Sequence, residues 1–157
     1  MKARIVIGAL TLSASALVGI AVHEGYRGEA YIPVKGDVPT IGFGTTDGVK
    51  PGDRIEPVQA LVRKLADVQR FEGVLKECVR VPLHQHEYDA WMQFTYNVGP
   101  SAFCNSTALR KLNSGDYAGA CDEMLRWVYV DGRKVQGLVN RREAERQLCL
   151  GTKRLTK

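Results

Sequence analysis

The stretch from residue 22 to residue 46, VHEGYRGEAYIPVKGDVPTIGFGTT, marks the point where the character of the chain changes. It follows the most apolar segment, begins beside a charged Glu24 and contains five glycines. Residues 23–55 hold seven of the 16 glycines and three of the six prolines. Short β-prone pieces alternate there with turn signals, which predicts a small, irregular β lobe.

From Pro57 onward the hydrophobic pattern changes to a helical period. Apolar residues recur at three- and four-residue steps and predict one long amphipathic helix, which carries Val58, Leu61, Val62, Leu65, Val68, Phe71, Val74 and Leu75. We predict further helices at about 84–98, 105–113, 116–128 and 137–149, with Asn105 as an N-cap and Gly115 as a stop. The expected fold is α+β, with a small β lobe, a larger helical lobe and an interlobe cleft for an extended substrate.

The N-terminal segment has the features of a weak membrane anchor. Lys2 and Arg4 precede 18 uncharged residues, Ile5 to Val22, of which half are Gly, Ala, Ser or Thr. A span needs about 20 apolar residues, and basic residues before it favour a cytoplasmic N-terminus. Two alternatives stay open: a signal peptide cleaved after the ASA at 14–16, or a buried helix of a cytosolic protein. We take residues 1–22 as the anchor segment and residues 23–157 as a separate folded domain.

Charge and cysteine content narrow the partners and the compartment. With 22 Lys and Arg against 17 Asp and Glu, the net charge is +5, which favours an anionic partner. No basic stripe interleaved with aromatic residues occurs, so nucleic acid is not expected. The four cysteines at 78, 104, 121 and 149 form no CxxC pair. Their even number fits two disulfides in an oxidising compartment, or four thiols in the cytosol.

Carboxylates are the best candidates for chemistry. The three histidines at 23, 84 and 86 complete no metalloprotease motif, and no G-x-S-x-G elbow occurs, so neither a metal site nor a serine nucleophile is expected. Glu24 ends the apolar element, where lost solvation would favour its protonated form and suit it to be a general acid. Asp37 and Thr40 lie in the same lobe, although they could be ordinary turn and strand residues. Glycoside hydrolysis needs such a protonated carboxyl with a carboxylate or a positioned water.

Three ordered motifs carry a family resemblance: EGYRGEAY leading into PTIGFGTT, then FTYNVGPSAFCNSTALRKLNSGDYAGACDEMLRW, then GLVNRREAERQLC. From about residue 5 to residue 149 the chain resembles the phage T4-type lysozyme family, specifically the signal-anchor-release endolysins of double-stranded DNA phages. The resemblance implies a lysozyme-like fold preceded by an N-terminal apolar helix. In that family the catalytic residues are a Glu, an Asp or Cys, and a Thr. Glu24 matches the first and Thr40 the last, one residue later than the family spacing. Asp37 is the only Asp between them but is displaced toward Thr40, and Glu29 is a lesser candidate.

The resemblance implies hydrolysis of the β-1,4 bond between N-acetylmuramic acid and N-acetylglucosamine in peptidoglycan, without a cofactor. Glu24 would protonate the leaving oxygen, while Asp37 and Thr40 would hold a water that inverts the anomeric centre. Arg141 matches the family arginine that pairs with the catalytic Glu. Without the resemblance, the NRREAER run would instead be an exposed helix face with contacts between Arg141 and Glu145.

Four cysteines and two further residues also take their roles from the family. The pairing Cys78–Cys104 and Cys121–Cys149 is implied because the family counterparts of the helices carrying Cys121 and Cys149 pack together. Tyr96 and Asn97 match cleft positions of the family, although Tyr96 could simply belong to the core.

The family also implies how activity is controlled. A monomeric enzyme would be exported by the host and held in the inner membrane by residues 5–22, facing the periplasm, until a holin or pinholin collapses the membrane potential without binding it. Released protein would then be free in the periplasm. The anchor has no cysteine, so control by topology is expected. Two alternatives remain: a lytic transglycosylase acting on the same bond, and a non-catalytic, membrane-tethered peptidoglycan-binding protein.

Overall fold

The computed structural model describes residues 3–152, so the predicted role of Lys2 lies outside the described residues. Two compact units divide the chain. The first, called the β unit here, comprises residues 14–70. The second, called the helical unit, combines the N-terminal residues up to Ser13 with those from Phe71 onward.

The β unit is built around a short hairpin. Helix α1 (Ala14–Glu24) leads into strands β1 (Arg27–Tyr31) and β2 (Thr40–Gly42), and helix α2 (Pro57–Cys78) begins after a long turn region. The strands are antiparallel, with Arg27 opposite Gly42 and Tyr31 opposite Thr40. One small hydrophobic core serves the unit and consists of Ile41, Val49, Ile55 and Ala60, with Ala30 and Phe43 packed against it. The predicted irregular β lobe is confirmed.

Helices dominate the second unit. It contains α3 (Gln85–Val98), α4 (Pro100–Cys104), α5 (Thr107–Asn113), α6 (Tyr117–Glu123), the two-residue strands β3 (Tyr129–Val130) and β4 (Arg133–Lys134), and α7 (Gln136–Cys149). Helix α3 packs mainly against α7. Aromatic rings fill the interior around α3, with centroid distances of 5.4–6.2 Å among Trp91, Phe94, Phe103 and Trp127. The α+β prediction is confirmed, whereas the hairpin of β3 and β4 was not predicted.

Two disulfides close the helical unit. They join Cys78 to Cys104 and Cys121 to Cys149, each with Cα atoms 5.8 Å apart, and they confirm the predicted pairing. The free thiols of the cytosolic alternative do not occur, because all four cysteines are bonded.

One helix start differs from the prediction. Helix α5 has Ser106 as its N-cap, and the Ser106 hydroxyl accepts the Leu109 amide hydrogen bond at 3.0 Å. Asn105 instead ends α4, where its side-chain amide donates to the Ser101 carbonyl at 2.8 Å. The N-cap prediction for Asn105 is therefore wrong, because the preceding helix uses that residue. Gly115 follows the end of α5 with a φ of +87°, as expected of a helix stop.

The buried face of α2 also differs from the apolar face predicted for it. Val58 and Val62 are 75% and 64% exposed. The buried residues recur mostly at four-residue steps and include two charged side chains: Ala60, Lys64, Val68, Glu72 and Leu75. The helix is rotated from the predicted face because Lys64 and Glu72 meet polar partners inside the fold.

The predicted anchor segment is not one continuous helix. A 3₁₀ turn covers Ile7–Ala9, and α1 begins only at Ala14. Within residues 3–152, no helix combines the length and the apolar character needed to cross a membrane.

Candidate active site

Helix α1 carries Glu24 at its C-terminal end. Ala16 and Ile20 are buried, and Glu24 continues their four-residue spacing, so it lies on the same face of the helix. Gly25, with a φ of +71°, ends the helix, and its amide donates to the Ala21 carbonyl at 3.0 Å.

Gly44 makes room for the Glu24 carboxylate in the loop after β2. A Cβ atom placed on Gly44 would lie 3.0 Å from Glu24 Oε2 and 3.6 Å from Lys64 Nζ, and its φ is +81°. Both the backbone conformation and the close approach therefore require glycine here. The predicted loss of solvation at Glu24 is wrong, since the residue is exposed in the structure. It ends its helix beside an exposed turn, and so water still reaches it.

Lys64 is a buried cation close to Gly44. Its side chain is fully buried on α2, and burial lowers its pKa, while the charges of Glu24 and Asp67 act in the opposite direction. Asp67 in turn accepts hydrogen bonds from Thr45 Oγ1 and Arg70 Nη2, both at 2.6 Å. Sequence reasoning missed Lys64. The signal that could have found it is the four-residue spacing from Ala60 through Lys64 to Val68.

Thr40 and Asp37 lie in the same hairpin but in different surroundings. Thr40 is buried at the start of β2, and its hydroxyl donates to the Val38 carbonyl at 3.2 Å. Asp37 is exposed in the loop between the strands, and its carboxylate accepts the Val38 amide at 2.9 Å. Glu24 approaches Gly44 in the loop that follows β2, the strand that begins at Thr40. Glu29 forms an exposed ion pair with Arg54 at 2.5 Å.

A second polar cluster, in the helical unit, contains Arg141. The contact with Glu145 is present, with Arg141 Nε donating to Glu145 Oε1 at 3.1 Å. The exposed helix face expected of the NRREAER run is wrong, because the Glu145 side chain is buried. Arg142, which was not predicted, is fully buried, and its Nη2 donates to Asn97 Oδ1 at 2.6 Å. Burial raises the pKa of Glu145, against the lowering effect of Arg142 and Arg141. Hydrogen bonds in this cluster thus connect Asn97 on α3 to α7.

The other sequence candidates of the helical unit have ordinary packing contacts. The Tyr96 ring lies 4.8 Å from that of Phe71. His84 and His86 stack on each other at 5.3 Å, and in the part of the chain that the structure describes no three His, Cys, Asp or Glu side chains are placed to hold a metal ion.

With the fold and these clusters defined, comparison with known proteins gives the family. The sequence model of the Phage lysozyme family matches residues 21–145, a range that begins just before Glu24 and ends at Glu145. The chain belongs to the phage lysozyme family.

Individual relatives agree with this assignment. The SAR-endolysin of Pseudomonas phage phiKMV is 43% identical over 141 residues, which are 87% of each chain. Among solved structures, an endolysin from Escherichia coli O157:H7 phage FAHEc1 superposes with a TM-score of 0.84 at 37% identity, covering 95% of this chain and 99% of that one. The muramidase domain of SpmX from Asticaccaulis excentricus has a TM-score of 0.84 at 28% identity, covering 90% and 98%.

Proposed function

We propose that this endolysin is a muramidase that hydrolyses the β-1,4 bond between N-acetylmuramic acid and N-acetylglucosamine in peptidoglycan and thereby lyses the host cell. The observation that carries the proposal is the Glu24 carboxylate, held against Gly44 at the end of the hairpin that bears Thr40. Family membership and the similarity to a muramidase domain support the choice of substrate.

Glu24 is the general acid of the proposed reaction. It delivers its proton to the glycosidic oxygen as the bond breaks, which leaves a carboxylate behind. The Lys64 ammonium attracts the negative charge that forms on Glu24 as the proton leaves.

Thr40 and Asp37 are proposed to hold the attacking water on the opposite face of the sugar, so that the anomeric configuration inverts. Thr40 is fixed by its burial and by its bond to Val38. Asp37 is exposed, and its bond to the Val38 amide leaves carboxylate acceptor capacity for a water. Arg141, Tyr96 and Asn97 keep their proposed roles in supporting Glu24 and binding the glycan.

Residues 1–22 are proposed as a signal-anchor-release segment and residues 23–157 as the catalytic domain. The protein is exported and held at the inner membrane by residues 5–22, facing the periplasm. It becomes a free, monomeric periplasmic enzyme when holin action collapses the membrane potential. The similarity to SAR-endolysins supports this proposal. In the tethered state Glu24 would lie two residues from the lipid surface, where it could not act on the wall.

A lytic transglycosylase is the second candidate. It breaks the same bond with one carboxyl group and no water. The hydrogen bond between Asp37 and the Val38 amide favours this candidate, because it gives Asp37 a structural role in the turn. The buried position of Thr40 at the start of β2 favours hydrolysis.

A muropeptide digest separates the possibilities. Purified soluble protein is incubated with peptidoglycan, and the products are analysed by mass spectrometry. Reducing-end muramic acid is expected. Anhydromuramic ends would instead identify a transglycosylase, and the absence of any product would identify a binding protein.

A further inference from the structure

Residues 4–13 pack against α2, α3 and the residues just before α3, mainly through polar contacts of their main chain. Ile5 and Leu83 exchange two amide-to-carbonyl hydrogen bonds of 2.8 Å, as neighbouring antiparallel strands do. The Thr11 carbonyl accepts a hydrogen bond from Gln85 Nε2 at 2.8 Å. Leu10 between these contacts is buried. This apolar segment is therefore bound at a defined position.

Three carboxylates of α2 and α3 provide the remaining contacts. Glu72 Oε1 accepts the Leu12 amide at 2.7 Å. Asp89 accepts the Ser13 amide at 3.0 Å and the Ser13 hydroxyl at 2.6 Å. The third carboxylate, that of Glu87, binds the guanidinium of Arg4 through Nε and Nη2, at 2.9 and 2.7 Å.

Unlike ordinary surface carboxylates, these three are buried. Glu72, Glu87 and Asp89 are each at most 9% exposed. A buried carboxylate is tolerated when hydrogen-bond donors surround it, and is strongly unfavourable when it loses them. Some donors to these carboxylates come from α3 and its N-cap residue. The Tyr88 hydroxyl donates to Glu72 at 2.6 Å, and the His84 amide donates to Glu87 at 2.7 Å. Residues 4–13 supply the rest.

We propose that Glu72, Glu87 and Asp89 form a receptor that captures residues 4–13 after they leave the membrane. This inference rests on the anchor function proposed above and names what holds the segment once it is released. While residues 5–22 lie in lipid, the three carboxylates lack the Leu12, Ser13 and Arg4 donors. Docking satisfies them, and so it shifts the partition of the segment away from the bilayer.

Arg4 has a role in both states. Before release its charge helps to keep the N-terminus on the cytoplasmic side. After release the same guanidinium makes its two bonds to Glu87 and lies 3.5 Å over the Tyr117 ring. A lysine keeps the charge but cannot make the two-pronged contact. Arg4→Lys therefore separates the two roles.

Hydrogen exchange on the purified soluble protein tests the docking directly. The Ile5, Leu12 and Ser13 amides should be protected in the wild type. In Glu72→Gln the Leu12 amide should exchange roughly fivefold to tenfold faster, since a charged acceptor is replaced by a neutral one. Exchange of these amides at unfolded-chain rates in the wild type would overturn the receptor. Because no peptidoglycan is involved, that failure is distinct from a failure of the enzyme activity.

Membrane fractionation tests the consequence for release. Full-length protein is expressed, the membrane potential is collapsed, and the ratio of soluble to membrane-bound protein is measured. Glu87→Gln, Asp89→Asn and Arg4→Lys should each lower this ratio by roughly fivefold or more. The matched control is Glu77→Gln, on the exposed side of α2, which should leave it unchanged. Equal ratios in Glu87→Gln and Glu77→Gln would contradict the proposal, as would a wild type that never enters the membrane fraction.

Discussion

Glu24 on α1 and Lys64 on α2 are far apart in the sequence, but both side chains approach Gly44 in the loop after β2. A Cβ atom on Gly44 would contact the carboxylate of the first at 3.0 Å and the ammonium of the second at 3.6 Å. The glycine thus leaves space that the proposed acid and a buried cation share. This arrangement leads to the first two predictions.

Replacing Glu24 by Gln should abolish wall cleavage without unfolding the protein. The amide has a similar shape but cannot deliver a proton, and general acid catalysis contributes roughly 10²–10⁴-fold to a rate. The measurement is the rate at which purified protein clears isolated cell walls, together with its thermal melting curve. Glu29→Gln is the matched control and should stay active, because Glu29 only pairs with Arg54 on the surface. Near wild-type clearing by Glu24→Gln would mean that the acid is another residue.

Replacing Lys64 by Met should slow wall cleavage without unfolding the protein. The ammonium attracts the negative charge left on Glu24 once its proton is delivered, so its loss should lower the rate by roughly fivefold to tenfold. The carboxylates whose charges act on Lys64 are those of Glu24 and Asp67, and Asp67 keeps Thr45 and Arg70 as partners. Lys64→Arg retains the charge and should retain most of the activity. Equal rates of clearing by Lys64→Met and wild type, with unchanged melting curves, would rule out an electrostatic role.

Glu123 should stabilise the helical unit only above acidic pH. Its hydrogen bond from Lys111, at 2.7 Å, lowers the pKa of the carboxyl below the ordinary value of 4.5, and burial opposes this change. A lowered pKa means that the stabilisation is present above the ordinary value and is lost as the pH falls through the lowered one. Glu123→Gln should therefore lower the melting temperature near neutral pH and have little effect in strong acid. Glu143→Gln on α7, whose side chain is 45% exposed, is the control, and a pH-independent difference would be the contrary result.

A more apolar anchor should trap the protein in the membrane. Changing Gly8 and Ser15 to Leu makes residues 5–22 more favourable in lipid. Both positions are exposed in the soluble fold, and a Cβ atom on Gly8 would meet nothing within 4 Å, so the folded state should tolerate the change. Fractionation and the time of lysis are measured, with Gly8→Ser as the polar control. Undiminished lysis by the Leu variant, or a wild-type N-terminus at Leu17, would refute release from the membrane.

Loss of the disulfide between α6 and α7 should destabilise the protein. Replacing Cys121 and Cys149 together by Ser removes a cross-link between two buried positions that are 28 residues apart. We expect a loss of about 2–4 kcal/mol in the free energy of unfolding, measured with denaturant under oxidising conditions. Unchanged stability would show that helix packing alone holds α6 to α7.

The sequence predicts most of what depends on local pattern. The β lobe around the hairpin, the helices from Pro57 onward and the stop at Gly115 all follow from periodicity and from glycine and proline positions. The start of α5 at Ser106 was misplaced by one residue because Asn105 and Ser106 are both good N-cap types, and only the end of α4 decides between them.

Features that depend on long-range polar contacts were not predicted. A search for an apolar face on α2 selects Val58 and Val62, since it counts Lys64 and Glu72 as surface residues. Both side chains are buried, and the groups near them come from distant parts of the sequence. Lys64 lies near Gly44, and Glu72 accepts the Leu12 amide. Arg142 is a similar case: it reaches Asn97 across 45 residues. Nothing in the local sequence distinguishes such residues from solvated charges.

The way in which residues 4–13 are bound has a consequence for how lysis timing can evolve. Most of the contacts are made to amides and carbonyls of the main chain, which every residue except proline provides. The exposed side chains at residues 6, 8, 9 and 11 can therefore become more or less apolar, and so delay or advance the proposed release, while the docked state is preserved. A phage lineage could adjust its latent period by single substitutions in this segment without having to rebuild the enzyme.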